Sequence, residues 1–443
     1  MHQALQQFPF PTAIVGGGIS GQAVAKLLQA AGASDGKDFT LFDEKLLSAQ
    51  FSKPEVLMSE FQPCSLIVSP GVPLNSEWIQ SAQKSGVLVT SELDLAALFL
   101  SDEKIIGVTG SLGKSTCTML FDAALEKFSN SFFVGGNLGI PLARYAEALI
   151  QGKRVKADWI VLELSSYQIE NLQVLPIDFC AITYFAPNHL ERYSNLESYY
   201  QTKWNLAEKA KHAVIINTQG GDLLEWSKKH QLKSKLVLSD AKEVVQKKIM
   251  TQTQLDTAQL VGQHNRDNIA LVAHVMNEAH WPSFAIQGPL EYPGLAHRLE
   301  FVGEFNGIRV INDSKATAME SVLTAAQACL EKIPPHGRVF LLLGGRDKKL
   351  PWQDLKNLSG DKICPYFFGE CRAIAQEQSA LLGPSFEKLS KALPEVISGL
   401  KAGDTLLLSP GGSSLDEFKN FEERGNFFKN FVIQELKVPK NVK

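Results

Sequence analysis

The segment 105–125 constrains the fold of this chain more than any other stretch of the sequence. Apolar and β-branched residues lead into two glycines, a Lys-Ser-Thr run follows, and a helical pattern comes next. The loop residues are Gly110, Gly113, Lys114, Ser115 and Thr116. A strand, a glycine loop and a helix in this order are typical of nucleoside triphosphate binding, because loop amides, the helix N-terminus and the lysine attract phosphate oxygens. The serine hydroxyl in such a loop is a ligand for Mg²⁺.

The spacing of this loop fits a short TGxxGK[ST]T pattern at 109–116. The commoner GxxxxGK[ST] pattern would need a glycine where Val108 stands. A glycine turn beside a solvated lysine is the alternative interpretation. The apolar strand before the loop and the helix after it favour phosphate binding.

Length and composition exclude several classes of protein. A chain of 443 residues is too long for one core, so two or three domains are expected. The net charge of −3 offers no basic surface, so nucleic acid is not expected as a partner. The six cysteines form no C-x-x-C pair, which indicates a reducing compartment without a zinc site. The chain also lacks a signal-peptide pattern and any apolar run that could span a bilayer, so we expect a cytoplasmic protein that does not contact membranes.

Short β-branched runs alternate with helical periodicity almost throughout, which predicts an α/β fold with parallel sheets. We expect three domains, at 1–96, 97–293 and 294–443. In the first, a strand at 13–15 runs into GGGISG at 16–21 and a helix, and a second strand at 39–42 ends at Asp43. This fits the GxGxxG pattern of dinucleotide binding, with NAD as the simplest ligand. The glycines suit any diphosphate at a helix N-terminus, however, and Asp43 is either a ribose contact or a turn residue.

The second domain offers candidate ligands for a metal ion. Glu163 ends an apolar strand, and a carboxylate one strand from a phosphate loop is a natural Mg²⁺ ligand, the alternative being a solvated strand-end acid. His189 alone is a weak candidate, since a histidine in a Pro-Asn-His turn is often a capping residue.

Lys203 is predicted to lie in the middle of an apolar helix stripe, where lysine is rare unless paired. Burial lowers the pKa of a lysine and raises the fraction of neutral amine, which can add CO₂ and become an anionic carbamate. The alternative is a lysine whose amine reaches out to solvent.

In the third domain, polar segments follow three predicted strands at 308–312, 339–343 and 405–408. These segments occupy 313–317, 344–348 and 409–414. The carboxyl ends of parallel strands are where α/β sheets bind their ligands, so these segments are expected to form part of a site.

Eight segments together resemble the successive signatures of the Mur ligase family, in the right order over nearly the whole chain. They are TGSLGKST at 109–116, GGNLG at 135–139, ELSSYQ at 163–168, NHLERY at 188–193, GQHNRDN at 262–268, HR at 297–298, NDSKAT at 312–317 and SPGGSSLDEFKNFEERG at 409–425. The last two are similar to the branch of the family that adds D-glutamate.

The resemblance implies an ATP-dependent ligase of peptidoglycan precursor synthesis in three domains: a Rossmann-like domain for UDP, a P-loop domain for ATP and a Rossmann-like C-terminal domain. Such a ligase joins D-glutamate to UDP-N-acetylmuramoyl-L-alanine through an acyl phosphate and releases ADP and phosphate. It would be a monomer whose partners are small molecules. In this reading the first glycine loop holds UDP rather than NAD.

The resemblance also assigns roles to individual residues. It implies that Lys114, Glu163, His189 and Lys203 are catalytic, and that two Mg²⁺ ions are held by Ser115, Glu163, His189 and Lys203, the last carbamylated. Further ATP contacts would be Asn268 at adenine, Arg298 at the γ-phosphate and Asp313 at the ribose. The UDP-muramoyl substrate would meet Gly18, Ile19, Ser20, Asp43, Gly71 and Asn137. D-Glutamate would meet Lys315, Thr317, Lys348, Ser414 and Phe421.

The chain departs from the family pattern at Leu112, where asparagine is usual, and at Asn188, where aspartate is usual. The first departure removes a side-chain contact near the triphosphate or the acyl phosphate, and the second changes the charge beside His189. Neither touches Lys114, Ser115 or Glu163, so altered rate constants are expected rather than lost activity. Three other interpretations remain: a P-loop switch that forms no bond, an NAD oxidoreductase, and a Mur ligase that adds a different amino acid.

Overall fold

The computed structural model describes residues 1–188, 192–260, 262–317, 319–347, 350–358 and 360–437. They contain three mainly parallel sheets with helices between the strands. The chain divides into two compact units, 1–257 with 266–290 and 258–265 with 291–443. The α/β class and the parallel sheets are confirmed, while the three domain boundaries stay a prediction. Within the described part of the chain, no helix is both long and apolar enough to cross a membrane.

The first unit contains two sheets. The first sheet, in the order β2-β1-β3-β4, is formed by β1 (Thr12–Val15), β2 (Phe39–Phe42), β3 (Ser65–Val68) and β4 (Leu88–Thr90). Its helices are α1 (Ile19–Ala30), α2 (Pro54–Val56), α3 (Glu77–Lys84) and α4 (Glu92–Ala97), with a π-helical turn at Leu57–Phe61 and a short 3₁₀ helix at Gln3–Leu5. All its pairings are parallel, so the C-terminal ends of its strands lie at one edge. The loop between β1 and α1 and the loops after β2 and β3 therefore begin at that edge.

The second sheet has the order β10-β9-β8-β5-β7-β6, and its pairings are also parallel. Its strands are β5 (Lys104–Thr109), β6 (Phe132–Gly136), β7 (Trp159–Glu163), β8 (Ile177–Ile182), β9 (Ala210–Asn217) and β10 (Lys235–Ser239). The helices that follow these strands are α5 (Lys114–Leu125), α6 (Leu142–Ile150), α7 (Ser166–Ile169), α8 (Leu196–Glu208), α9 (Leu223–Lys228), α10 (Ala241–Gln246), α11 (Gln252–Thr257), α12 (Gln263–Glu278) and α13 (Gln287–Glu291), with a 3₁₀ turn at Ser283–Ile286.

One apolar core joins the first two sheets. It runs from Ile14 and Leu27 on β1 and α1 to Ile160 on β7 and Trp204 on α8. Hydrogen bonds also connect the regions of the two sheets. The buried Asp94 of α4 accepts hydrogen bonds from the backbone N–H groups of residues 173–175, at 2.7, 2.9 and 2.9 Å. The first unit therefore holds its two sheets in a fixed relation.

The third sheet, in the second unit, has the order β11-β12-β16-β13-β14-β15. Its strands are β11 (Glu300–Phe305), β12 (Ile308–Asn312), β13 (Val339–Gly344), β14 (Ile363–Phe368), β15 (Ser385–Phe386) and β16 (Thr405–Gly411). Its helices are α14 (Met319–Leu330), α15 (Arg372–Ser379), α16 (Leu389–Gly399) and α17 (Phe421–Lys437), with a 3₁₀ segment at Trp352–Leu358. The sheet is parallel except for the edge strand β11, which pairs antiparallel with β12 through a two-residue turn that the sequence patterns did not reveal.

Candidate active site

The phosphate loop runs from the end of β5 to the start of α5, as predicted. Gly110 has φ 147°, and a Cβ atom there would lie 2.1 Å from the Thr183 hydroxyl oxygen, so no side chain fits. Gly113, with φ 82°, precedes the first residue of α5, Lys114. The Thr183 hydroxyl, just beyond β8, donates to the carbonyl of Leu112 and braces the loop from the neighbouring strand. The loop amides and the start of α5 are therefore presented at the carboxyl edge of the sheet.

The Lys114 ammonium group lies on the loop itself. Its Nζ donates to the carbonyl of Gly110 at 2.7 Å and to that of Ser111 at 3.2 Å. Ser115 is buried in the first turn of α5 and Thr116 is half-buried beside it. Positive charge is thus held at the loop, where a triphosphate would need it.

Glu163 ends β7 opposite Val108 of β5, one strand from the loop. It is 2% exposed. Its Oε1 accepts a hydrogen bond from the Asn137 amide at 2.6 Å, whereas Oε2 has no hydrogen-bond partner in the described structure. A buried carboxylate oxygen without a donor is costly unless a cation or another ligand meets it, so the solvated alternative for this residue does not hold.

Lys203 is buried on the apolar face of α8, as its spacing predicted, and the alternative of an amine in solvent is excluded. Its Nζ donates to the carbonyl of Gly110 at 3.0 Å and lies 4.8 Å from the centroid of the Tyr199 ring. Burial, with a further contribution from the Lys114 charge, lowers the pKa of Lys203 well below its ordinary value, and Glu163 opposes this only in part. Two lysine amines therefore meet at one loop carbonyl, and one of them favours the neutral form.

Asn268, on α12, lies beside the same loop. Its Oδ1 is 3.4 Å from the Cys117 sulfur, and the same oxygen would be 3.1 Å from a Cβ atom added to Gly113. The structure therefore places Asn268 against the first turns of α5; its contact with adenine stays a prediction. His189 lies outside the described residues.

A cleft of about 630 Å³ opens at the carboxyl edge of the first sheet. The candidate residues that line it are Gly18, Ile19, Ser20, Asp43, Gly71 and Asn137. Asn137 comes from the loop after β6 and also contacts Glu163, so the wall of the cleft is continuous with the phosphate-loop region. The structure thus brings together all six residues that the resemblance assigned to one substrate.

Asp43 closes a turn at this cleft. Its Oδ2 accepts from the Gly17 N–H at 2.8 Å, and its Oδ1 accepts from the N–H groups of Lys45 and Leu46 at 2.9 and 3.1 Å. The Gly17 and Lys45 hydrogen bonds lower the pKa of Asp43. The turn interpretation of Asp43 thus has a structural basis, and the carboxylate also fixes the glycine loop that precedes α1.

In the second unit, candidate residues gather at the ends of β12 and β16. Asp313 is buried, accepts from the Ser409 hydroxyl at 2.8 Å and the Leu299 N–H at 3.1 Å, and has a pKa raised by burial to about 7. Its charge interacts with Arg298. The Lys315 amine lies 3.7 Å from the centroid of the Phe421 ring. These residues therefore form one group at this edge of the sheet.

The structure describes some, but not all, of the remaining candidate residues of this unit. Ser414 is buried and Thr317 is half-buried. Lys348 lies outside the described residues. Sequence reasoning gave no role to Arg424, whose guanidinium is fully buried and donates to the Ser314 carbonyl at 2.8 Å and the Gly412 carbonyl at 3.1 Å. Arg424 ties the loop after β12 to the loop after β16, and its place in the 409–425 segment was the only signal for it.

No group of three or more His, Cys, Asp or Glu side chains in the described structure is placed to hold a metal ion. A cation at the phosphate loop would instead use single protein ligands together with phosphate oxygens. Glu163, through Oε2, and Ser115 have the right chemistry for Mg²⁺.

A phosphate loop on a parallel sheet, with a buried acid and a buried lysine beside it, defines a class of nucleotide-dependent protein. The family model for the Mur ligase middle domain matches residues 108–276, which include these features. Solved Mur ligases have a similar fold: the MurF ligase of Thermotoga maritima in complex with ADP (TM-score 0.59, 15% identity, covering 98% of this chain and 100% of that one) and MurC from the same organism (0.56, 16%, 96% and 100%).

Comparison with curated proteins shows to which family of Mur ligases the chain belongs. The UDP-N-acetylmuramoylalanine–D-glutamate ligase of Anaeromyxobacter dehalogenans is 32% identical over 408 residues, covering 86% of each chain. The enzymes with the same name from Prochlorococcus marinus strain MIT 9312 (31%, 96% of this chain and 97% of that one) and Myxococcus xanthus (33%, 83% of each) match similarly. The chain belongs to the UDP-N-acetylmuramoylalanine–D-glutamate ligase family of the Mur ligases.

Proposed function

We propose that this chain is an ATP-dependent ligase that joins D-glutamate to UDP-N-acetylmuramoyl-L-alanine in peptidoglycan precursor synthesis, with ADP and phosphate as the other products. The observation that carries this proposal is the meeting of Lys114 and the buried Lys203 at the Gly110 carbonyl, with Glu163 one strand away. Membership of the family supplies the substrates.

The chemistry explains why such a cluster is needed. A carboxylate does not form an amide with an amine directly, so ATP first converts the alanyl carboxylate to an acyl phosphate. The amine of D-glutamate then attacks the acyl carbon, a tetrahedral intermediate forms, and phosphate leaves. The first step brings an anion towards a polyanion, and cationic groups fixed in place beforehand lower its barrier. Lys114, held on the loop by two carbonyls, provides one such group.

Magnesium suits the residues of the loop region. Ser115 and the unpartnered Oε2 of Glu163 would hold one ion at the β- and γ-phosphates, and His189 with carbamylated Lys203 would hold a second. The ions would supply Lewis-acid stabilisation of the transferring phosphoryl group. Glu163 is kept in position for this task by the Asn137 amide.

The carbamate at Lys203 is supported by three observations on the side chain itself. The amine is buried, its pKa is lowered, and the carbonyl and ring that it contacts carry no charge. A neutral amine adds CO₂ at its nitrogen and releases one proton, which converts the neutral group into an anionic ligand. The carbamate anion would also attract the Lys114 ammonium group, which a protonated Lys203 would repel.

The remaining ligands are assigned to the two other groups of residues. The cleft of the first sheet would hold the UDP-muramoyl substrate, with its diphosphate at the N-terminus of α1. Arg298 and Asp313 would contact ATP, and Lys315, Thr317, Lys348, Ser414 and Phe421 would hold D-glutamate. The ligase is further proposed to be a cytoplasmic monomer.

Phosphate release tests the proposal against its rivals. With Mg²⁺, ATP and UDP-N-acetylmuramoyl-L-alanine present, we expect sustained phosphate release only when D-glutamate is added. Release that is indifferent to D-glutamate would indicate a P-loop switch. Release that is stimulated better by L-alanine or a diamino acid would indicate a different member of the Mur ligases, and tight binding of NAD(H) would favour an oxidoreductase.

A further inference from the structure

Arg192 has no role in the reaction as described so far, although it is largely buried and makes five polar or aromatic contacts. Its guanidinium donates to the Glu170 carboxylate at 2.6 and 3.3 Å and lies 4.2 Å from the centroid of the Tyr167 ring. The same group donates to the backbone carbonyls of Pro70 at 3.1 Å and Val72 at 3.4 Å. Arg192 therefore connects the region after β8 with the loop 69–72, which follows β3.

The loop 69–72 separates two environments. One side, including Gly71, lines the 630 Å³ cleft of the first sheet, and Arg192 is absent from that lining. On the other side, Arg192 packs with Tyr167, Glu92 and Asn171 around a much smaller space of about 10 Å³, to which Gly71 does not contribute. The guanidinium thus reaches the loop from behind the cleft.

The contact between Arg192 and the Pro70 carbonyl also fixes the direction of the Gly71 N–H, because both groups belong to one planar peptide bond. The bond between Pro70 and Gly71 is trans, so its carbonyl and its N–H point in opposite directions. Because the Pro70 carbonyl is directed at Arg192, the Gly71 N–H is directed away from it. No acceptor in the described structure meets that N–H, and Gly71 itself lines the cleft. The N–H is therefore a donor aimed at whatever occupies the cleft.

We propose that Arg192 is a positioning residue for the nucleotide substrate: by holding the Pro70 and Val72 carbonyls, it aims the Gly71 N–H at an acceptor oxygen of the UDP moiety. This inference rests on the proposed function and deepens it, since it names a residue outside the cleft that sets affinity for one of three substrates. Glu170 and Tyr167 keep the planar guanidinium in the orientation that two carbonyls require.

The test is a comparison of Michaelis constants in the full-length enzyme. We expect Arg192→Ala to raise the KM for UDP-N-acetylmuramoyl-L-alanine by about 10-fold or more, because a directed hydrogen bond to a charged or polar oxygen is lost. The KM for ATP, the KM for D-glutamate and kcat should change by less than about 2-fold. Arg192→Lys should lie between, since an ammonium group cannot span both carbonyls in one plane.

Arg154→Ala is the matched control. Arg154 also lies over aromatic rings, 5.4 Å from the centroids of Phe133 and Tyr145, and donates to the backbone carbonyl of Phe132, but it does not line the cleft. Its removal should leave all three Michaelis constants unchanged. A double-mutant cycle adds a second test: Gly71→Pro removes the N–H, and its effect on the UDP-substrate KM should not add to that of Arg192→Ala if both act through that donor.

The inference is overturned if Arg192→Ala leaves the UDP-substrate KM unchanged, or if it changes all three Michaelis constants alike, as a general loss of structure would. Fully additive effects in the cycle would also overturn it. These outcomes differ from failure of the proposed function, in which the wild-type chain itself would form no product and would bind no UDP-linked substrate in a calorimetric titration.

Discussion

Glu163 and Lys203 are two ionisable side chains that the fold keeps almost entirely from water, each only 2% exposed, and both lie beside the phosphate loop. Neither has the ion-pair partner that normally accompanies a buried charge in the described structure. Keeping such groups buried costs stability, so their retention indicates a task for which low dielectric and fixed position are needed. Substituting either residue should therefore lower activity without a matching loss of stability.

Glu163→Gln should lower kcat by about 10²-fold or more, since the anionic oxygen that suits Mg²⁺ is lost while the Asn137 hydrogen bond is kept. The melting temperature should not fall, because a buried unpaired carboxylate oxygen is replaced by a neutral amide. Steady-state kinetics at several Mg²⁺ concentrations, together with thermal melting, measure both quantities. Near-wild-type kcat, or a loss of activity that only follows a loss of folding, would contradict the assignment.

Lys203→Ala should be nearly inactive, with a decrease of about 10²-fold or more, and short-chain carboxylic acids should restore part of the rate by standing in for the carbamate. Lys209→Ala is the control, because this half-buried lysine at the C-terminal end of the same helix donates to the Gln173 carbonyl rather than to the phosphate loop. Comparing the rates of Lys203→Ala with and without added acetate or propionate tests whether a carboxylate can replace the carbamate. Full activity of Lys203→Ala would remove the carbamate from the mechanism.

At the scale of single elements, the phosphate loop depends on glycine for steric reasons. A side chain at Gly110 would clash with Thr183 and with the backbone of residue 184. Gly110→Ala should therefore distort the loop, lower the melting temperature and raise the KM for ATP by about 10-fold or more. Gly360→Ala is the control, since a Cβ atom there meets no atom within 4 Å. A Gly110→Ala enzyme with wild-type ATP affinity would show that the loop does not need this conformation.

The contact between α4 and α6 should make stability depend on pH. Glu92 of α4 is fully buried, accepts from the Ala143 N–H of α6 at 2.5 Å, and has a pKa raised by burial to about 7 from an ordinary 4.5. The native state therefore binds the proton more tightly than the unfolded chain, so stability from this group is complete below pH 4.5 and is lost as the pH rises through about 7. The difference corresponds to about 3 kcal/mol at most.

Glu92→Gln should remove this dependence. Its melting temperature should exceed that of the wild type at pH 8 and nearly equal it at pH 4, because the amide stays neutral at both values and wild-type Glu92 is protonated in the native state at pH 4. Glu126→Gln, an exposed substitution just beyond α5, should match the wild type at both pH values. Equal melting of Glu92→Gln and wild type at pH 8 would show that Glu92 ionises without cost.

Several elements followed directly from sequence patterns, because their signals are local. The strands β2 and β12 have the predicted bounds, and the period of α8 was enough to place Lys203 on its buried face. The antiparallel edge strand β11 was missed, since its alternation is weak and its glycine interrupts it. The buried carboxylates of α4 were also missed, because their partners lie about 50 to 80 residues away in the sequence.

At the scale of the whole molecule, the candidate residues of each unit lie on loops at the carboxyl edges of that unit's own sheets, the position that motif spacing indicated. The motifs predict which residues face ligands, but they gave no role to the residues that hold the loops in place, such as Arg192 and Arg424. These two arginines act through backbone carbonyls, and a carbonyl leaves no trace in the sequence. His189 and Lys348 stay predictions from the resemblance.

The central claim is that the alanyl carboxylate is activated as an acyl phosphate before D-glutamate attacks it. Transfer of ¹⁸O tests this most directly: UDP-N-acetylmuramoyl-L-alanine labelled with ¹⁸O in its terminal carboxylate is turned over with ATP, Mg²⁺ and D-glutamate, and the phosphate released is analysed by mass spectrometry. We predict one ¹⁸O atom in each phosphate, with one D-glutamyl product and one ADP formed for each. Unlabelled phosphate, or ADP formed at the same rate without D-glutamate, would contradict the claim.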